Sequence, residues 1–144
     1  MAAERLTLIV FSGDYDRVHY ALAMASAALA TSRPVTLFLT MDGTRLLLGE
    51  SPDGVPGWTA LGAGADGTPA AVRDARHAEA GIATIEEMLS ACVELGARFM
   101  VCEMGLRALA LTSAELRADV AVTEGGLVTL LAEAEDDHAR IVFI

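Results

Sequence analysis

The chain has 144 residues, 53% of them hydrophobic, and a net charge of −10. That length suits one domain burying roughly two thirds of its unfolded surface, while ten scattered basic residues in so acidic a chain exclude a phosphate-backbone binder. No run approaches the ~20 apolar residues of a membrane span, so the high mean hydropathy of +0.45 points to a subunit interface and predicts an oligomer.

The Met1–Arg5 terminus lacks the basic and apolar regions of a signal peptide and predicts a cytoplasmic protein. In a reducing compartment its two cysteines are expected to stay free thiols.

Leu6 to Phe11 is an apolar, β-branched run that reads as a first buried strand. Ser12-Gly13-Asp14 breaks it and offers a helix cap. Val18, Leu22, Ala25 and Leu29 then form one apolar stripe. After Pro34, Val35 to Thr40 is a second buried strand. Asp42-Gly43-Thr44 caps a short helical turn bearing Leu46, Leu47 and Leu48.

Between residues 49 and 69 the composition changes, with three of the four prolines and six of the thirteen glycines in 21 residues. A loop that long in a compact domain is usually functional or mobile, and Trp58 reads as its anchor or as an interface contact.

A helical pattern from Ala70 is interrupted at Gly81. The main helix follows Thr84, whose spacing to Glu87 fits a capping box, with Ile82, Ile85, Leu89, Cys92 and Leu95 on one face and Gly96 as its stop. Cys92 on that stripe reads as structural. Phe99 to Val101 is a fully buried strand ending on Cys102, and Glu103 with Gly105 predicts a turn there. Beyond it come an apolar segment, 106–111, that one small domain would leave partly exposed, and a short helix near Ser113. Val120 to Thr123 reads as a fourth strand, Gly125 to Glu135 as a helix with Leu127, Leu130, Leu131 and Ala134 inward, and Arg140 to Ile144 as the last strand. Strands alternating with helices predict a single α/β/α domain over 1–144, with a five-stranded, mainly parallel sheet.

The strand-end position makes Cys102 the candidate for chemistry, because ligands gather at the carboxyl edge of open α/β sheets. A reactive thiol must ionise below the free value of ~8.5. Arg107 and the backbone N–H groups of the 103–107 turn favour that, whereas Glu103 opposes it. Ser12, Gly13, Asp14, Thr40, Met41 and Asp42 end their own strands and share the edge, with Asp14 and Asp42 also readable as plain helix caps. Glu124-Gly125-Gly126 would bring a helix N-terminus near the sulfur. Cys102 and Met104 supply two soft sulfurs, too few for a metal site.

Gly62 to Gly67 matches G-x-G-x-x-G literally but lies in a Pro/Gly-rich loop without the strand and helix a dinucleotide site requires. His19, His77 and His138 share no metal-like spacing and read as solvated or capping residues. Neither a cofactor nor a metal is expected.

The blocks Leu8 to Asp14, Val35 to Thr40, Glu94 to Met104 and Glu124 to Leu127, in this order and spacing, resemble the DsrE/DsrF-like family of sulfur-relay proteins, some of whose members are named peroxiredoxin-like. The resemblance implies a small α/β subunit in homo-oligomers, often trimers or multiples of them. It also implies that Cys102 accepts sulfane sulfur as a persulfide from a donor protein and passes it to an acceptor. Two rival readings from the residues themselves are a non-catalytic binding or assembly subunit with Cys102 buried, and a small-ligand or nucleotide sensor using the strand-end loops.

Overall fold

The computed structural model describes residues 4–144. Met1 to Ala3, part of the terminus read above, lie outside it. The elements are β1 (Leu6–Val10), α1 (Tyr15–Ala30), β2 (Val35–Leu39), a 3₁₀ segment Met41–Leu47, a second at Gly57–Ala60, α2 (Ala70–Glu79), α3 (Ile85–Glu94), β3 (Arg98–Cys102), α4 (Glu103–Ala108), a 3₁₀ turn Ser113–Glu115, β4 (Val122–Gly125), α5 (Leu127–Asp136) and β5 (Arg140–Phe143).

The five strands form one parallel sheet in the order β4-β3-β2-β1-β5. Strand alternation divides its residues between two faces. Leu6, Leu8, Val10, Val35, Leu37, Leu39, Phe99 and Val101 join the main core, together with Val18 and Leu22 of α1 and Ile85, Leu89 and Cys92 of α3. Ile9, Phe38, Met100 and Cys102 face the other way and are covered by Leu130 of α5. The expected α/β/α layering is thus present.

Local chemistry accounts for the helix ends. Asp14 caps α1 by accepting from the Asp16 N–H at 2.8 Å, and the Thr84 hydroxyl caps α3 by accepting from the Glu87 N–H at 3.2 Å. Gly96 adopts φ +88 just after α3, a conformation that a side chain would strain.

Several boundaries differ from the sequence reading. β4 runs Val122–Gly125 rather than 120–123, because Arg117 folds back on Asp119 at 2.7 Å and holds 118–120 in a turn. Gly125 is therefore a strand residue, and α5 starts at Leu127. Leu127 and Leu131 are 42% and 50% exposed, since α5 crosses its face of the sheet and buries mainly Leu130 and Ala134.

Ile82 precedes α3 and Leu95 follows it, so both escape its buried stripe, and Met88 joins that stripe instead. Glu103 to Ala108 is a helix rather than a loop; it buries Leu106 within the subunit, while Ala108 and Ala110 stay exposed and Leu109 and Leu111 half-buried, as expected for a partly exposed 106–111 segment.

The 49–69 segment is pinned. Trp58 is buried, with its indole N–H donating to Glu86 at 3.0 Å, and the Gly62 N–H donates to the Gly13 carbonyl at 2.7 Å.

Candidate functional site

Cys102 is the last residue of β3 and occupies the N-cap position of α4. The alternation that sends Phe99 and Val101 into the main core sends Met100 and Cys102 to the opposite face. There the residue is 1% exposed, packed in the cluster of Ile9, Phe38, Met100 and Leu130. Its register partner on β4 is Gly125, which contributes no side chain, so the cover over the sulfur comes from α5. A Cβ on Gly125 would stand 3.2 Å from the Met100 Sδ.

The connections leaving β3 and β4 diverge at this point. α4 places Leu106 in the main core, whereas α5 places Leu130 on the other face. Adjacent parallel strands whose connections part to opposite faces open the crevice where α/β proteins bind ligands. Cys102 and Gly125 are the terminal residues of those two strands.

Gly105 locks the turn after the thiol. A Cβ on it would lie 2.6 Å from the Met41 backbone nitrogen and 3.1 Å from Thr40 Cα, so only glycine lets α4 approach the end of β2. Thr40 and Met41 are thereby brought beside the Cys102 turn.

The other expected residues are less well placed. Glu103, Met104 and Arg107 are exposed on α4 while Cys102 is buried at its start. Ser12, Gly13 and Asp14 share the carboxyl edge but end β1, beyond β2. Gly13 and Asp14 line a cleft of about 560 Å³ with Asp42, Arg45 and Gly62, and the Ser12 hydroxyl accepts from the Asp14 N–H at 3.1 Å. Glu124 is exposed on β4, and Gly126 precedes the first turn of α5.

Cys92 is structural, as its stripe position suggests. Burial pushes its thiol up to about 11, and its Sγ lies 3.8 Å from the Leu22 carbonyl oxygen. Among the described residues no three His, Cys, Asp or Glu side chains are gathered as for a metal ion.

A second constellation was not legible in advance. Tyr15, His19, Asp74 and His77 meet where α1, α2 and α3 converge. The one available signal was Ala70 and Asp74 at i, i+4, a carboxylate on the helix face that alanine marks as inward.

Fold and site together define a small parallel α/β protein with a thiol held at the carboxyl edge of its sheet. The chain belongs to the DsrE/DsrF-like family, whose sequence profile matches residues 5–143. It is similar to YrkE of Bacillus subtilis, at 26% identity with 96% of each chain covered. In fold it resembles MTH1491 of Methanobacterium thermoautotrophicum, with TM-score 0.63 and 15% identity over 98% of this chain and 99% of that one. The ychN protein of E. coli is similar too, with TM-score 0.56 and 16% identity over 97% and 99% of the two chains.

Proposed function

We propose that the protein is a cytoplasmic sulfur carrier in which Cys102 accepts sulfane sulfur and delivers it to a partner protein. Membership of a sulfur-relay family supports the reading. The observation that carries it is the position of Cys102 at the point where the connections of β3 and β4 part. In the transfer, the Cys102 thiolate attacks the terminal sulfur of a donor persulfide. A new S–S bond forms, the donor's S–S bond breaks, and the donor cysteine leaves as a thiolate. No external oxidant or reductant is consumed. With the residue 1% exposed, transfer requires the cover from α5 to shift when the donor docks.

That same burial favours a second reading, a non-catalytic assembly subunit in which Cys102 only packs. Intact mass after exposure to a competent persulfide donor separates the two. The carrier gains ~32 Da, one sulfur atom, in the wild type and in Cys92→Ser but not in Cys102→Ser. An adduct that persists in Cys102→Ser, or never forms in the wild type, leaves the assembly reading in place.

Both readings include self-association. Phe11 and Phe143 stack with centroids 5.6 Å apart yet are 48% and 66% exposed. Ile141, Leu127 and Leu131 also keep much of their surface in water. Apolar exposure of this extent supports an interface there. A homo-oligomer, a trimer or a multiple of one, is the expected result by light scattering. A monomer at micromolar concentration would refute it.

A further inference from the structure

We propose that the closely apposed His19–His77 pair is a proton-sensitive latch for α2, holding the helix down at neutral pH and releasing it on mild acidification. This latch lies on the α1/α3 side of the sheet and does not depend on the role of Cys102.

Of the ten residues of α2, Ala70 and Asp74 are buried. Two small side chains anchor a helix poorly, so the docking of α2 rests on polar contacts. Asp74 Oδ1 accepts from the Tyr15 hydroxyl at 2.6 Å and from the Ile85 N–H at the start of α3 at 2.9 Å. His77 Nδ1 lies 3.1 Å from the same hydroxyl. The phenol has one proton, and the short bond commits it to the carboxylate, so Nδ1 carries its own proton and donates to the phenol oxygen. His19 Nε2 donates to the Ala83 carbonyl at 2.8 Å, just before α3.

Each neutral ring thus already holds its proton on the bonded nitrogen, and an added proton must go to the other one. The ring centroids are 4.4 Å apart, so charging both places two imidazolium rings in contact.

The surrounding charges act in both directions. Asp16 on α1 and Asp74 on α2 favour protonation, but Asp16 is already paired with Arg73 at 3.0 Å. Arg73 also reaches Asp66 ahead of α2, and on α3 Glu86 is engaged by Trp58 and Arg117 while Glu87 meets Thr84. Burial first, then His19 and Arg73, hold His77 below the ordinary imidazole range. A depressed histidine means that the latched state binds fewer protons than the released one. Latching is therefore intact above ~6.5, the ordinary imidazole value, and is lost as pH falls below it.

Trp58, the chain's single tryptophan, reports on this event. It is 6% exposed, and its ring lies 6.4 Å from that of Tyr15. Between about pH 7.5 and about pH 5 its emission is expected to shift to the red, and acrylamide quenching to rise, with a midpoint below ~6.5. The double variant His19→Gln/His77→Asn keeps an amide donor at each bonded nitrogen and cannot titrate, so its Trp58 signal stays flat through this range. His138→Gln, in the exposed turn before β5, behaves as wild type.

A flat signal in the wild type, a midpoint near the carboxylate range of ~4, or an unchanged transition in the double variant overturns the latch. Should circular dichroism show the double variant unfolded at neutral pH, the wild type decides by NMR. The imidazole resonances of His77 must then titrate with the midpoint of the Trp58 change, and separate midpoints refute the proposal.

Discussion

Phe38→Ala is expected to lower the unfolding free energy by about 3–5 kcal/mol, at least a fifth of the ~5–15 kcal/mol that holds a domain folded. Phe38 is fully buried at the middle of the sheet, in register with Ile9 on one side and Met100 on the other. Those three residues, with Cys102 and Leu130, form the buried apolar cluster beneath α5. Removing the ring leaves a cavity that neighbouring strands cannot close, because both are bonded into the ladder. Urea unfolding should show the midpoint fall at unchanged slope.

The same substitution unmasks the thiol. In a Cys92→Ser background, Cys102 reaches a maleimide only when its cover opens. If that opening follows global stability, each 1.4 kcal/mol lost speeds labelling about tenfold, so a rise of roughly 10² to a few times 10³ is expected. A loss of stability under ~1 kcal/mol would show that the cluster collapses onto the gap, and the account of the buried face would be wrong.

Asp74→Ala should cost about 2–4 kcal/mol, far more than a typical change on a helix with so little buried surface. The carboxylate accepts from both Tyr15 and Ile85. Its loss strands the first N–H of α3 and leaves the phenol only His77 as a partner. The phenol is completely buried, and burial together with Asp74 raises its ionisation well above the ordinary tyrosine value, so it stays a donor throughout the working range.

Asp74→Asn retains an amide oxygen and should lose distinctly less. Tyr15→Phe combined with Asp74→Ala should cost less than the sum of the two, because each single change already breaks their shared bond. Additive losses in chemical denaturation would mean that the two residues are not coupled.

The distribution of such effects reflects which features were readable along the chain. Strands β1, β2 and β3 announce themselves because parallel strands buried on both faces are continuous apolar runs, as in Leu6–Val10 and Val35–Leu39. Caps such as Asp14 and Thr84 and the stop at Gly96 are equally local, since the hydrogen bond or positive φ that requires them involves residues within one turn. Candidate chemistry at Cys102 was legible for the same reason, as the end of an apolar run is the end of a strand.

β4 begins at Val122, because Val120, though buried, lies in the turn that carries the Arg117–Asp119 pair. That residue's hydrophobicity alone suggested otherwise.

By itself the sequence determined the alternation of strands and helices, the parallel sheet it implies and the strand-end location of Cys102, because all three follow from short-range periodicity. Only the tertiary structure decided that Cys102 faces Phe38 and Leu130 while Arg107 faces water, because the side a strand residue takes has no meaning until both faces are covered. It also decided that His19 and His77, 58 residues apart by their numbers, meet with ring centroids 4.4 Å apart beside Tyr15. That meeting depends on where α2 docks, and α2 is held by Tyr15 and Ile85, residues from two other helices that no local pattern connects to it.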